Sequence, residues 1–285
     1  MGASRLFTAL ALLVLSPLAR TQQFAKVVIK PSASSAPGAS RLQVFPSGDL
    51  IGHSIPVVEL IALAYAVPNN PSPRLASLPE WVVRHRFDLD AKTSASLRLD
   101  TKDIQTQRRT IELLLQRLLR DRFGLVLRAK TVATPVYALT LSGNDHKLKR
   151  SSISPRDCIL DTDPDGCHGF AIGFGHPLNT RAADMSDLAH YLENWTDLPV
   201  VDRTAATGLF EMHSQGWKPM NLPPPPPGAS GTGAEFANLS TLSAVLSSFG
   251  LQLRREEESL PFYTVERIDQ PSANDLSPAH GMRAD

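Results

Sequence analysis

The stretch RDRFGLVLRAKTVATPVYALTL, at residues 120–141, returns in outline as LSSFGLQLRREEESLPFYTVER at residues 246–267. Seven positions keep both identity and spacing: Phe123, Gly124, Leu125, Leu127, Arg128, Pro135 and Tyr137 correspond to Phe249, Gly250, Leu251, Leu253, Arg254, Pro261 and Tyr263. In each copy the glycine follows a helical pattern, and glycine readily ends a helix in the left-handed conformation. We therefore expect two similar units, although joints of this kind are common enough for the match to be coincidental.

The residues around the first copy predict an ordered series of elements. A strand in FAKVVIKPS and a hairpin of RLQVF with DLIGHS come first. Apolar spacing then predicts a helix in IPVVELIALAYAV, and alternation of apolar and charged residues predicts a strand in RFDLDAKT. A long helix, apolar on one face and arginine-rich on the other, should run from about Asp103 to Gly124. Two strands, at 125–130 and 136–141, are expected after it, joined by a turn through Pro135.

The second half predicts the same order. MSDLAHYLENW has helical spacing, GLFEMHS alternates like a strand, and NLSTLSAVLSSFG is a shorter copy of the long helix. LQLRRE and FYTVERI should form the two final strands. The expected fold class is therefore α+β, with two tandem helix-strand-helix-strand-strand repeats packed together and with pseudo-twofold symmetry as one possible arrangement.

Domain boundaries follow from composition. We expect a signal peptide at 1–21, a first α+β module at 22–150 and a disulfide-closed connecting loop at 151–177. A second module should occupy 178–270, with a Pro/Gly-rich insertion at 218–235 that contains five consecutive prolines. Residues 271–285 should form a disordered tail.

The first residues have the pattern of a secretory signal. MGASR supplies a basic residue, and the apolar run LFTALALLVLSPLA precedes the polar RTQQ. We expect cleavage near Ala19 or Thr21 and a secreted or periplasmic bacterial protein with no membrane span afterwards; an uncleaved anchor is the alternative. The formal net charge of +1 in 285 residues gives no sign of a nucleic-acid partner.

Two cysteines, Cys158 and Cys167, lie in RDCILDTDPDGCHGF among turn-forming residues. In an oxidising compartment this spacing predicts one disulfide that closes a short loop, and two free thiols are the alternative. Asp161, Asp163 and Asp165 within the loop resemble the first half of a calcium loop. The twelfth position is Ile172 instead of a bidentate glutamate, so an aspartate- and glycine-rich turn is the preferred interpretation.

Catalytic motifs are missing from the sequence. It contains no G-x-S-x-G, S-x-x-K or HExxH pattern, no phosphate-binding loop and no zinc-ligand spacing. We expect no metal and no cofactor. His168 and His176 are interpreted as surface or turn histidines. The arginines of the long helix are expected to be solvated, or paired with residues 256–258 if the two modules touch.

The ordered set of motifs resembles a known family. FAKVVIKPS, LPEWVVRHRFDLDAKT and the long helix with its FGLVLRAKT strand come first, followed by MSDLAHYL, LPVVDRTAATGLFE and FYTVERIDQPSAN. They are similar to the uncharacterised paralogue family of soil bacteria, expanded in Acidobacteria (Solibacter-type) and built on an exported domain of unknown function. That family usually has His-Arg-Glu-Thr where this chain has Arg128–Thr131, so no role of that histidine is transferred.

The resemblance implies extracytoplasmic sensing or binding, because similar domains are fused behind membrane metallopeptidase sensors. We expect a non-catalytic binding module for an envelope protein, a peptide or a small ligand. Its ligand should lie in the cleft between the repeats or along an exposed strand edge. A cell-envelope hydrolase with scattered active-site residues and a structural protein tethered by its proline-rich linker are the alternatives.

Overall fold

The computed structural model describes residues 23–33, 40–68, 72–93, 97–143, 147–163, 166–170, 177–218 and 239–271. The predicted signal peptide, nearly all of the Pro/Gly-rich insertion and nearly all of the predicted tail lie outside these residues. We refer to the described part of 22–150 as the first half and to that of 178–271 as the second half.

Five helices form within the described residues: α1 (Val57–Tyr65), α2 (Glu80–Arg84), α3 (Ile104–Phe123), α4 (Met185–Glu193) and α5 (Leu242–Ser248). The strands of the first half are β1 (Phe24–Pro31), β2 (Arg41–Val44), β3 (Leu50–Pro56), β4 (Leu75–Ala76), β5 (Arg86–Thr93), β6 (Val126–Leu141) and β7 (Lys149–Arg150). The remaining strands are β8 (Leu160–Asp161), β9 (Thr180–Ala183), β10 (Val200–Asp202), β11 (Phe210–Met212), β12 (Trp217–Lys218), β13 (Ser240–Thr241) and β14 (Leu251–Arg267). The fold is thus mixed α+β, as predicted.

The two copies of the opening motif form one long ribbon. β6 and β14 pair antiparallel along nearly their whole length, from Leu251 opposite Leu141 to Arg267 opposite Val126. This corrects the expectation of two short strands in each copy, joined in the first copy by a turn at Pro135. Each copy is instead a single strand that continues through its proline.

Hydrogen-bond alternation explains why proline is tolerated in the ribbon. The N–H of Tyr137 donates to the carbonyl of Pro199, and the N–H of Tyr263 donates to the carbonyl of Arg74, each at 2.8 Å. Both N–H groups therefore point away from the partner strand. Since backbone direction alternates along an antiparallel strand, Pro135 and Pro261 also face outward. Neither proline removes a hydrogen bond between the two strands.

The ribbon lies at the centre of a four-stranded sheet with the order β10-β6-β14-β4. β10 pairs parallel to β6 at Tyr137, and β4 pairs parallel to β14 at Tyr263. Ala133 pairs with Ser259 midway between these contacts. The flanking strands thus meet the ribbon at corresponding tyrosines of the two sequence copies.

Each half has one further sheet beside its helices, and β12 and β13 form a separate two-stranded parallel sheet. A five-stranded sheet has the order β1-β5-β3-β2-β8, in which β2 and β3 form the predicted antiparallel hairpin. A three-stranded sheet has the order β7-β11-β9. In each half, the strand before the first helix (β3 or β9) pairs antiparallel with a strand after that helix (β5 or β11).

Each half has its own hydrophobic core. The first core packs α1 and α3 on the five-stranded sheet, and Phe123 is fully buried where α3 ends at Gly124, whose φ is +57°. The second core packs α4 and α5 around Phe210 and Trp217. β14 contributes to both cores, through Val265 to the first and Leu251 to the second. The ribbon therefore joins the two halves.

Candidate functional site

A cleft of about 350 Å³ lies where the two halves meet. It is lined by Asp103, Ile104, Gln105, Pro155, Asp184, Met185, Ser186, Asp202, Ala206, Thr207 and Gly208. The first three residues belong to the start of α3 in the first half, and the start of α4 and the loop after β10 supply most of the rest. The N-termini of two helices from different halves therefore converge on one cavity.

Both helices begin with an aspartate cap. The side chain of Asp103 accepts from the N–H of Thr106, and that of Asp184 accepts from the N–H of Asp187 at 2.8 Å. Asp187 in turn accepts from the N–H of Asp184, which completes a capping box. The capping carboxylates are thus committed to protein hydrogen bonds, whereas N–H groups in the first turn of a helix have no acceptor within the helix.

The loop after β10 forms the opposite wall. Asp202 accepts from both the N–H and the hydroxyl of Thr204. Ala205 and Gly208 have positive φ angles of 54° and 93°. Arg150 donates to the carbonyl of Thr207 and fixes the end of the loop. In the described part of the chain, no ion pair neutralises Asp103 or Asp202, so this rim of the cleft is acidic.

Behind the cleft, four charged side chains form a cluster, which we call the quartet: Arg108, His168, Asp184 and Asp187. One guanidinium nitrogen of Arg108 lies 2.8 Å from Asp184 and 2.7 Å from Asp187. The Nδ1 atom of His168 lies 2.6 Å from Asp187. Each of the side chains of His168, Asp184 and Asp187 is at most 7% exposed. The quartet connects α3, α4 and the loop that precedes β9.

The electrostatics of the quartet favour full ionisation at Asp187. Burial opposes the charge on Asp187, but Arg108 and His168 outweigh it and hold the pKa of this carboxyl far below its usual range. Burial also opposes the charged form of His168, and the neighbouring Asp187 nevertheless raises the pKa of the imidazole. Burial and the adjacent Asp187 raise the pKa of Asp184. With both acids ionised and His168 protonated, two positive and two negative charges balance.

A second histidine of α4 behaves in the opposite way. Desolvation of the half-buried His190 ring, reinforced by Arg108, lowers its pKa to about 4. His190 is therefore neutral at pH 7. Nearby, Arg74 from the segment before β4 forms a buried ion pair with Glu193 at 2.7 Å, so α4 is also tied to the first half at its C-terminal end.

The ligand atoms of His168, Asp184 and Asp187 lie within 4.8 Å of one another, a separation that could hold a metal ion. The guanidinium of Arg108, however, already contacts both carboxylates, at 2.8 and 2.7 Å. The donor set therefore fits an internal ion-pair cluster better than a metal centre.

The predicted calcium ligands are engaged elsewhere. Two nitrogens of Arg41 donate to the two carboxylate oxygens of Asp161 at 3.0 and 2.6 Å, and Asp163 lies 3.6 Å from the same guanidinium. Asp165 lies outside the described residues. The sulfur atoms of Cys158 and Cys167 are at disulfide distance, with their Cα atoms 5.3 Å apart. Asp161 and Asp163 thus contact Arg41 within the turn that the cysteine pair closes.

One expectation from the sequence is wrong in this region, and another is only partly met. His168 lies in a bend of the chain, but its side chain is only 7% exposed and is paired with Asp187, and His176 lies outside the described residues. Arg108 was expected to be solvated or to contact residues 256–258, yet it reaches α4 in the other half. Glu258 instead pairs with Arg203 at 2.7 Å. The sequence did contain one signal for this site. Asp184 and Asp187 lie three residues apart at the start of a predicted helix, and this spacing matches a capping box.

Within the described residues, the hydrogen bond of the His168 ring is made by its Nδ1 atom to the carboxylate of Asp187, at 2.6 Å.

No described helix combines the length and apolar character needed to cross a membrane. No curated protein and no solved structure matches the chain. A family model described as "Protein of unknown function (DUF3738)" matches residues 58–268. Because this match covers most of the sequence, the chain belongs to DUF3738, a family of proteins of unknown function.

Proposed function

We propose that this chain is an exported, non-catalytic binding or sensing module whose ligand occupies the cleft between its two halves. The observation that carries the proposal is the composition of the cleft. Two helix N-termini from different halves and a loop with fixed geometry converge on a cavity of about 350 Å³. Such a volume is at the lower end of ordinary small-molecule sites.

We also propose that the two halves of the chain are tandem repeats of one unit. The sheet order β10-β6-β14-β4 and the corresponding pairings at Tyr137 and Tyr263 support two copies of one unit. The unit is helix-strand-helix followed by one long strand. Ala133 and Ser259 would then lie at a pseudo-twofold axis through the middle of the ribbon. In a molecule built in this way, the junction of the two units is the natural position for a shared ligand site.

The lining defines the ligand chemistry. Apolar surface comes from Ile104, Met185 and Ala206, and helical N–H groups offer hydrogen-bond donors to carbonyl or hydroxyl oxygens. The carboxylates of Asp103 and Asp202 disfavour an anion and favour an amine. A short peptide combines these groups, because it has carbonyl acceptors, apolar side chains and an amino terminus. We therefore assign small peptides as the ligand class.

The strand-edge alternative has less support. Pro135 and Pro261 lie at outward-facing positions of the ribbon and offer no N–H to an added strand. Each lies next to the place where β10 or β4 already pairs. An incoming peptide strand would have only the central part of the ribbon available.

Titration of the isotope-labelled mature chain with a library of di- and tripeptides tests the cleft. We expect the amide signals of Ser186, Thr207 and Gly208 to shift for the peptides that bind. Replacement of the exposed Thr207 by tryptophan should fill the cleft and weaken binding about tenfold or more. Thr131→Trp, at an exposed position of the ribbon, is the matched control and should leave binding unchanged.

Two results would contradict the assignment of peptides to the cleft. One is a library in which no peptide shifts the amides of the cleft. The other is a peptide whose affinity is the same in Thr207→Trp and in the unaltered chain. A peptide that shifts the amides of β6 or β14 instead would support binding at the strand edge.

Export and the disulfide are tested together. We expect bacterial expression of residues 1–285 to yield a periplasmic or secreted protein whose first residue lies near position 20 or 22. Its mass should correspond to oxidised Cys158 and Cys167, without thiols that react with iodoacetamide before reduction. A full-length chain retained in the cytoplasm, with two reactive thiols, would contradict this part of the proposal.

A further inference from the structure

The cysteine pair lies directly beside the quartet. Cys167 is followed in sequence by His168, whose N–H donates to the carbonyl of Ala182 at 2.8 Å and whose ring contacts Asp187 at 2.6 Å. A single peptide bond thus separates the sulfur bridge from a side chain that helps to hold α4.

His168 has a backbone conformation that needs external support. Its φ angle is +64°, in the left-handed region that is unfavourable for a residue with a side chain. The preceding carbonyl, of Cys167, accepts from the N–H of Asp161 at 2.9 Å. A Cβ atom on Gly166 or Gly169 would come within 2.5 or 2.4 Å of a backbone oxygen, which shows how tightly this segment is wound. The cysteine bridge therefore closes a loop that keeps His168 in place.

We propose that reduction of the Cys158–Cys167 disulfide releases His168 and loosens the junction between the two halves. The disulfide would then be a redox-sensitive control of the cleft, since Asp184 belongs both to the quartet and to the cleft wall. The loosening of the junction does not depend on a ligand. Only its consequence for affinity rests on the proposed binding function.

The reaction is ordinary exchange with a dithiol. A thiolate of the reductant bonds to the sulfur of Cys167, which is partly exposed, and the electron pair of the broken bond passes to the sulfur of the buried Cys158. The Cys158 thiolate takes up a proton. The second thiol of the reductant, as its thiolate, then displaces Cys167, so that two protein thiols and one oxidised dithiol result.

Hydrogen exchange of the full mature chain, without any ligand, tests the proposal. In the oxidised protein we expect slow exchange at the amides of Asp187 and Leu188, which donate to the side chain and the carbonyl of Asp184. On reduction with dithiothreitol, exchange at residues 187–188 should rise about tenfold or more, while the ribbon amides at 136–139 stay protected. The double variant Cys158→Ser, Cys167→Ser should show the fast exchange with or without dithiothreitol. Faster exchange confined to residues 158–168 would overturn the proposal.

A second variant covers the case in which the reduced protein unfolds as a whole. His168→Gln keeps a side chain of similar reach, removes the charge opposite Asp187 and leaves the disulfide intact. We expect faster exchange at residues 187–188 in this oxidised variant, with the ribbon still protected. If α4 in oxidised His168→Gln exchanges as slowly as in the unaltered protein, His168 does not connect the disulfide to the junction and the proposal fails.

Discussion

α1 and α4, the first helices of the two halves, both have an acidic third residue, but the side chains around these two residues differ in charge. In α1 the third residue is Glu59, which accepts a hydrogen bond from the hydroxyl of Ser40 at 2.6 Å. In α4 the third residue is Asp187, which contacts His168 at the same distance. Ser40 and His168 precede their helices by the same number of residues.

The difference between the two sites is Arg108. It comes from the long helix of the first half and enters only the site of the second half, where it meets Asp184 and Asp187. α1 has Pro56 in place of a capping aspartate, and no side chain caps it. The buried carboxylates at the start of α4 thus face a cation from the other half, whereas Glu59 of α1 accepts from the hydroxyl of Ser40 in its own half. The site at α4 therefore links the two halves, and the site at α1 does not.

The largest expected effect is the loss of a buried carboxylate from the quartet. Asp187→Asn leaves Arg108 and His168 without their shared anion, and breaking a buried ion pair on one side costs about 3–5 kcal/mol. The matched change in the first half, Glu59→Gln, affects one hydrogen bond and should cost about 1 kcal/mol. Urea unfolding of both variants measures the difference. Equal losses would show that the two sites do not differ in the way we describe.

The repeated phenylalanines provide a second comparison. Phe123 is fully buried in the first core, whereas Phe249 packs against the second core and remains partly exposed. Phe123→Ala should therefore destabilise the protein by about 3–4 kcal/mol and Phe249→Ala by about 1–2 kcal/mol. Thermal and urea unfolding check these values. A larger loss for Phe249→Ala would mean that the second core depends more on the repeated motif than the first.

His190, in the second half, should make the stability of the protein depend on pH. The folded-state pKa of His190 is about 4, below the unfolded value of about 6.5, so the unfolded chain binds the extra proton in this interval. Stability should fall by up to about 3 kcal/mol as the pH decreases from 6.5 to 4. Ala62 occupies the matching position of α1 and cannot titrate. His190→Gln should flatten this part of the profile in urea unfolding at several pH values, and an unchanged slope would assign the effect to other groups.

His168 should change the stability of the protein with pH in the opposite direction to His190. Its folded-state pKa is raised, so its stabilising charge is fully present below about pH 6.5 and is lost as the pH rises through the folded value. Asp187, with its lowered pKa, contributes above about pH 3.9 and loses this contribution only as the pH falls toward its own value. The three groups therefore act in separate pH intervals.

The smallest effect on stability is expected at the ribbon edge. Pro135→Ala and Pro261→Ala each add an outward N–H without changing the bonds between β6 and β14, so the free energy of unfolding should change by less than about 1 kcal/mol. The new donor should instead promote association of strand edges, which sedimentation velocity would detect as oligomers in the double variant. A purely monomeric double variant would show that proline does not protect these edges.

The elements were largely predictable because their apolar periodicity is strong. α3 and its end at Gly124, the strand RFDLDAKT and the hairpin of β2 with β3 all lie where the sequence predicts them. The interpretation of Pro135 as a turn was wrong because the direction of its missing N–H depends on strand register. Register is a long-range property that joins β6 to a segment more than a hundred residues away.

The site was less predictable than the fold. The cleft and the quartet assemble residues from α3, α4 and two loops, and no local pattern specifies which of the arginines of α3 reaches the other half. Arg108 has the same helical setting in the sequence as Arg109, yet Arg109 pairs with Glu112 on its own helix. Only the tertiary structure, which brings the start of α4 within reach of Arg108, distinguishes them.

The most direct test of the junction is a double-mutant cycle on Arg108 and Asp187, measured by urea unfolding of Arg108→Ala, Asp187→Ala and the double variant. The two side chains belong to different halves, so their coupling energy reports the link between them. We expect coupling of about 2 kcal/mol or more, because Asp187 is buried and is hydrogen-bonded to the guanidinium of Arg108. A value below about 0.5 kcal/mol, the level expected for independent sites, would contradict the claim that the quartet ties the halves together.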